Sequence, residues 1–450
     1  MAIRRVMLGA WLAVLWATLT IVCAAQDNAS RMEEVVQSYV SNKQFMGSVL
    51  VSRDKTVLFD KGFGSADLEW DIPNSPTTKF RLGSLTKQFT AACILLLEER
   101  GKLKIDDTVK KYMTDAPAAW DKITIFNLLT HTSGIPGFTE FPDYAATEGI
   151  ATTPEKLVLR FRDKPLEFQP GEKMSYSNSG YVLLGYLIEK ISGQTYSQFV
   201  QENIFDPLGM RDSGYDSNSA IILHRASGYT SSDKRMMNAG YIDMTIPFSA
   251  GGLYSTTEDL ARWEQGLFGG KLLSSASLQE MTKPFQHNYA FGLIVTTVNG
   301  HKVIEHSGGI EGFNTALAYY PEDKLIVAVL SNLNGDAPLN ITHRLAAVAH
   351  GEEVVLPAER KEILVTAAIL AKYVGVYELA PGFNLVVTLE GDNLMLQATG
   401  QPKFQLFAES ETKFFLKVVD AEIDFVKNDR NEVTSLVLHQ GGRDMKGTKK

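Results

Sequence analysis

Cysteine is nearly absent: 450 residues carry only Cys23 and Cys93. Two thiols cannot build a disulfide framework or a cysteine-rich zinc site. An excess of basic charge is also missing. Lys and Arg number 44 against 52 Asp and Glu, a formal net charge of -8. A protein that tracks a phosphate backbone carries a basic patch or stripe, so nucleic acid is not an expected partner. There is no H-E-x-x-H, no P-loop and no EF-hand loop. The G-x-S-x-G nucleophile elbow is absent as well. The eight histidines show no metal-ligand spacing. No long repeat and no low-complexity tract interrupts the chain. With 44% hydrophobic and 21% charged residues, wholesale disorder is excluded. What remains is a globular chain whose chemistry is expected to need no cofactor and no metal.

One long apolar run is present. Arg4 and Arg5 precede residues 6–22, and Cys23, Ala24 and Ala25 lead into the polar Gln26, Asp27 and Asn28. A short basic region, an apolar segment and small residues before a polar boundary read as a secretory signal over residues 1–25, cleaved after Ala25. The expected location is secreted or periplasmic. An uncleaved anchor is the alternative, and only then would the protein meet a membrane. Cys93 lies in the apolar run Ala91 to Leu97 and reads as a small core residue.

Residues 26–350 read as one α+β domain. An opening helix over 31–40 precedes strands at 47–52 and 56–60. Helices follow over 85–100, stopped by Gly101, over 123–130 and over 181–191, with Gly193 close behind. Further β-rich segments are 291–297, 301–305, 315–320 and 325–331, and a helix over 336–350 closes the unit. Strands from both chain ends with helices between them predict an antiparallel sheet flanked by helices. Residues 351–365, with Pro357 and the charged 359–362, read as a linker. Residues 366–450 carry short alternating runs at 384–390, 393–397, 413–419, 422–427 and 432–438. These predict a small antiparallel β-barrel-like domain.

Three short motifs carry candidate chemistry. Ser84-Leu85-Thr86-Lys87 is an S-x-x-K tetrad. The same pattern recurs at Ser52/Lys55, Ser231/Lys234 and Ser410/Lys413, but only Ser84 opens a strongly apolar helical run. Residues three apart share a helix face, so the Ser84 hydroxyl and the Lys87 amine can approach. Helix-terminal charge and burial both oppose protonation of such a lysine. A capping serine with a solvated lysine is the structural alternative. Tyr176-Ser177-Asn178 follows the turn at 169–172 and precedes a helix. A tyrosine beside lysine can serve as a general base. A helix-capping Asn178 and a partly buried Tyr176 are the alternative. His306-Ser307-Gly308-Gly309 follows a strand. Its glycines let a substrate lie against the strand, and a free N–H at Gly309 can serve an oxyanion hole. A bulge or turn with an incidental histidine is the alternative.

The order nucleophile–lysine, tyrosine–asparagine, histidine–glycines resembles the serine β-lactamase and penicillin-binding protein superfamily, on the class C β-lactamase side. Residues 128–138 (LLTHTSGIPGF), 176–191, 204–210 (IFDPLGM) and 250–260 (AGGLYSTTEDL) resemble that family's framework. The resemblance covers roughly residues 30–345, and the segment from about 366 resembles the lipocalin-like β-module appended to some of these hydrolases. It implies a β-lactamase/transpeptidase-like fold: a five-stranded-type antiparallel sheet plus an all-helical subregion, with the active site between them. It further implies that Ser84 forms an acyl-enzyme, that Lys87 and Tyr176 share its proton, and that the N–H groups of Ser84 and Gly309 hold the oxyanion. Asn178, His306, Ser307 and Gly308 would contact the substrate, Asn178 would orient Lys87, and His306, if charged, would attract a carboxylate.

Class C β-lactamases carry lysine where this chain has His306, and a histidine is only partly protonated at neutral pH. The expected substrates are therefore D-amino-acid peptides or small esters, in the manner of a D,D-peptidase or esterase. Peptidoglycan fragments and β-lactams are further substrates the resemblance allows. The alternatives are a class C-type β-lactamase and a penicillin-recognising receptor that acylates without turnover.

Overall fold

The computed structural model describes residues 28–232, 235–356, 359–417, 421–440 and 443–450. The expected signal segment, residues 1–25, lies outside the described residues. The chain divides into two compact units, one ending at Ala346 and the other beginning at Ala347.

The first unit is built on a six-stranded antiparallel sheet. Its strands are β1 (Gly47–Arg53), β2 (Thr56–Phe63), β3 (Ile294–Val298), β4 (His301–Ile310), β5 (Phe313–Tyr320) and β6 (Leu325–Ser331). Their order is β3-β4-β5-β6-β1-β2, one strand more than the five-stranded type. The two chain ends meet at its centre, where Gly47 to Arg53 pair with Ser331 to Leu325. Every residue of β6 (LIVAVLS) is buried. A continuous apolar run rather than an alternating one is what a strand covered on both faces requires. Asn299 and Gly300, both at positive φ, make the tight turn between β3 and β4. That is the backbone a two-residue hairpin of matching twist demands.

The register of β4 overturns one local alternative. Residues 306–309 form no bulge or turn: pairing with β5 runs without a shift from Ile304↔Tyr319 to Ile310↔Phe313. The chain reverses later, at Gly312, whose φ is +80°. β3 pairs with β4 only as far as Glu305. From His306 to Ile310 the strand therefore has β5 on one side and an open edge on the other.

Five helices of this unit matter here: α1 (28–41), α2 (Thr86–Glu99), α3 (Ile125–Leu129), α4 (Asn178–Ser192) and α5 (Thr257–Phe268); a sixth, α6 (Ala337–His350), begins in it and ends beyond Ala346. Helix α2 is buried from Thr86 to Leu97. A helix apolar all round belongs in an interior. Gly101 follows it at positive φ. Helix α4 is buried from Ser179 to Ile188 and ends on Gly193 in the left-handed region. One apolar core joins α2, α4 and the sheet through residues such as Leu95, Leu183 and Leu330.

The second unit is a closed barrel of eight antiparallel strands: β7 (Gly375–Ala380), β8 (Phe383–Glu390), β9 (Asn393–Ala398), β10 (Lys403–Ala408), β11 (Lys413–Phe415), β12 (Ala421–Lys427), β13 (Val433–Gln440) and β14 (Arg443–Lys449). Closure runs through Tyr377↔Lys449 and Glu378↔Thr448. Side chains fill the interior. Tyr373 stacks on Phe425 at 4.3 Å, and Leu436 and Ile423 are fully buried. Strands β7, β10 and β14 are additional to the five runs expected from the sequence.

Candidate active site

The site forms where the start of α2 meets β4. Gly83 opens a 3-10 turn, Gly83–Leu85, directly ahead of α2. Its φ is +54°, and a Cβ there would lie 2.8 Å from the Gly309 nitrogen. At Gly308 a Cβ would sit 2.0 Å from the Leu82 carbonyl oxygen and 3.1 Å from the Ser84 nitrogen. Only hydrogen fits between the two segments. The Thr315 hydroxyl from β5 donates to the same Leu82 carbonyl at 2.7 Å. Glycine at 83 and 308 is therefore what brings the Ser84 and Gly309 backbones together.

Lys87 is fully buried. Neither the capping role for Ser84 nor the solvated role for Lys87 is realised: no side-chain cap bond exists at either helical segment. The Lys87 Nζ lies 2.9 Å from Ser84 Oγ, 2.8 Å from Asn178 Oδ1 and 2.9 Å from the Ala250 carbonyl. Burial drives its pKa well below the ordinary lysine value. A neutral amine has two hydrogens and one lone pair. Asn178 Oδ1 and Ala250 O can only accept, so they take the hydrogens, and the lone pair faces Ser84.

Asn178 is the first residue of α4 and its side chain does not cap. Its amide nitrogen donates to Thr139 Oγ1 at 3.1 Å, which fixes the carbonyl end toward Lys87. Tyr176 is 38% exposed as a residue, and its ring packs on the His131 imidazole at 4.3 Å. Burial raises the phenol above its ordinary pKa, and the neighbouring Ser84 hydroxyl opposes this only in part. The Lys87 Nζ lies 4.9 Å from the Tyr176 ring centroid.

His306 is buried on β4, with its ring 6.5 Å from that of Tyr176. Burial, and then the nearby Lys87, lower its pKa to about 4. The imidazole is therefore neutral near pH 7, and it is not the cation the resemblance allowed for. Ser307 and Gly309 alternate with it and are exposed. The structure thus gathers Ser84, Lys87, Tyr176, Asn178 and His306 into one contact network, with Gly308 and Gly309 against the Ser84 turn.

Besides Thr139 and Thr315, three more participants were not singled out from the sequence. Ala250 contributes a carbonyl, which any residue type supplies. His131 stacks on Tyr176 at 4.3 Å and lies within the framework segment 128–138. Tyr289 reaches both His131 and His306, at 3.0 and 3.2 Å, from a loop without a readable pattern. The hydrogen-bonded donor set is one hydroxyl, one amine, phenols, an amide and neutral imidazoles.

Comparison with known proteins gives the family. The profile of the Beta-lactamase family matches residues 32–352, and that of a domain of unknown function matches residues 359–449. Penicillin-binding protein 4* of Bacillus subtilis (strain 168) is 30% identical over 93% of this chain and 98% of its own. The solved octameric penicillin-binding protein homologue from Pyrococcus abyssi is 28% identical, with a TM-score of 0.67, over 93% of this chain and 99% of that one. A D-stereospecific amidohydrolase from Streptomyces sp. is 25% identical, with a TM-score of 0.62, over 72% of this chain and 99% of its own.

Proposed function

The chain belongs to the Beta-lactamase family, and from that premise we propose that it is an exported serine hydrolase acting on D-amino-acid peptides and amides or small esters through a Ser84 acyl-enzyme. The observation that carries this reading is the buried Lys87 amine, 2.9 Å from the Ser84 hydroxyl. Its lowered pKa suits a base, while the raised pKa of Tyr176 suits a proton donor. In acylation Ser84 Oγ attacks the substrate carbonyl carbon, and its proton passes to Lys87 Nζ. The leaving nitrogen or oxygen then receives a proton through Tyr176, which is replenished from Lys87. Water attacks the acyl carbonyl in the second half, Lys87 accepts its proton, and Ser84 departs with a proton in turn. The Ser84 and Gly309 N–H groups are the proposed oxyanion donors. Loss of one such donor costs about 10²–10³ in rate.

The open edge of β4 from His306 to Ile310 suits an extended peptide lying alongside it. His306 brings no positive charge there, which favours substrates without a carboxylate at that position. The name of the Streptomyces relative, an amidohydrolase of D-stereospecificity, supports an amide substrate of D configuration. Arg4, Arg5 and the apolar run to Val22 support export.

The test has two parts. Exposure to a fluorophosphonate and to benzylpenicillin, followed by peptide mapping, should place an adduct on Ser84, absent in Ser84→Ala. Steady-state rates should rank a D-amino-acid amide, a C-terminally amidated D-amino-acid peptide and a short aryl ester above a chromogenic cephalosporin. Absence of any Ser84 adduct would sink the hydrolase reading. Cephalosporin turnover far above the rest would reverse the substrate ranking in favour of a β-lactamase.

A further inference from the structure

Behind the nucleophile runs a buried chain of hydrogen bonds whose two ends have fixed polarity. At one end the Ser177 backbone N–H donates to His131 Nδ1 at 3.1 Å. At the other, His306 Nδ1 lies 2.6 Å from the Ser307 carbonyl, which can only accept. The Tyr289 hydroxyl stands between, 3.0 Å from His131 Nε2 and 3.2 Å from His306 Nε2. Working inward, His131 Nδ1 is bare and its Nε2 carries the hydrogen. His306 is the reverse, with hydrogen on Nδ1 and a bare Nε2. Tyr289 then accepts from His131 and donates to His306, and every partner is matched. Burial keeps both imidazoles neutral, as this polarity needs. One competing acceptor lies near: the Tyr181 hydroxyl, itself donating to the Leu129 carbonyl at 2.8 Å.

His131 also grips the segment around Tyr176. Its carbonyl accepts from the Ser175 N–H at 2.9 Å and its ring accepts from the Ser177 N–H. Those two amides flank Tyr176, whose ring packs on the imidazole at 4.3 Å. To make both contacts His131 adopts a φ of +56°, and His287 and Asn288, just before Tyr289, have φ of +52° and +61°. Left-handed backbone at non-glycine residues costs energy and is held only where surroundings impose it.

We propose that His131 and Tyr289 are positioning residues: His131 clamps Tyr176 beside Ser84, and Tyr289 holds His306 in the Nδ1–H tautomer. The catalytic half of this statement rests on the Ser84 acyl-enzyme reading. The hydrogen-bond half does not.

The decisive measurement is ¹⁵N–¹H correlation of the imidazoles in the full protein labelled at histidine. Assignment would come from His131→Asn and His306→Gln. The expected spectrum has His131 as the Nε2–H form and His306 as the Nδ1–H form. Tyr289→Phe should release His306 into a mixture of tautomers and lower kcat about tenfold, as for one lost hydrogen bond, with KM little changed. His131→Ala should lower kcat about 10²-fold, as for a misplaced catalytic group. His131→Asn should recover part of that loss, because asparagine tolerates positive φ and can still accept from Ser177. Finding both imidazoles in one tautomer, or an unchanged His306 tautomer and kcat in Tyr289→Phe, overturns the proposal. A loss of melting temperature without loss of kcat in His131→Ala overturns the clamp. Expected tautomers in a protein that forms no Ser84 adduct would remove the hydrolase reading and leave the hydrogen-bond chain standing.

Discussion

A lysine without solvent must either stay neutral or find a compensating charge, and no carboxylate among the described residues hydrogen-bonds to Lys87. Its depressed pKa has a definite sign for activity. On the proposed mechanism the amine serves as base well below the usual lysine range, and acylation should fail as pH falls through the folded-state pKa and the amine gains a proton. The kcat/KM profile should therefore have an acid limb belonging to Lys87. Asn178→Asp would set a carboxylate where the 2.8 Å amide oxygen now lies. It should favour the protonated amine, move the acid limb to higher pH and cut the rate at pH 7 by about 10–10²-fold. A pH–rate series on the two proteins checks this, and a limb that stays in place would detach it from Lys87. At this scale the sequence was legible wherever a side chain's identity is the signal. Ser84, Lys87, Tyr176, Asn178 and His306 are such cases. The Ala250 carbonyl is not, and Tyr289 acquires its role only from the loop that carries it.

Among the elements, β4 is governed by what cannot be added to it. A methyl at Gly308 meets the Leu82 carbonyl, whereas one at Gly309 meets only the Asn314 side-chain nitrogen, at 3.3 Å. Gly308→Ala should lower stability by about 1–3 kcal/mol through overpacking and take most of the activity with it. Gly309→Ala should retain far more of both; thermal denaturation and ester hydrolysis would compare the pair. Helix α5, which packs on β1 and β6, buries Glu264 to 2% exposure. One of its carboxylate oxygens has no hydrogen-bond partner among the described residues. Burial raises its pKa to about 8. The folded state then holds a proton that the unfolded chain loses near the ordinary value, 4.5. The stability present below that pH is lost as pH rises toward 8. Glu264→Gln should melt like the native protein at pH 4 and several degrees above it at pH 9. Equal melting temperatures at pH 9 would show that the carboxyl is not buried as described. The long helices and most strands were readable from apolar runs and glycine stops. Strand β14 (RDMKGTK) was not, because its composition has little β character and closure of the barrel supplies its pairing. The reach of β4 through His306-Ser307-Gly308-Gly309 was hidden for a related reason. Paired glycines resemble a turn until the neighbouring strand is known.

At the scale of the whole chain, two units with separate apolar cores predict two unfolding events. Leu436 is fully buried in the barrel. Leu436→Ala should remove about 2–5 kcal/mol from one calorimetric transition and leave the other, and the small-ester rate, unchanged. A single transition that shifts as a whole would show instead that the units unfold together.

The pairing of β1 with β6 also sets a schedule for biosynthesis. The hairpin 47–63 leaves the ribosome long before residues 325–331, its partner at the sheet centre, have been translated. At about 5–20 residues per second the wait is on the order of tens of seconds. For that time β1, destined for burial from Gly47 to Ser52, offers a bare edge to any other nascent chain. A mutation that slows elongation between these segments would lengthen that interval and lower the yield of folded protein without altering a single native contact.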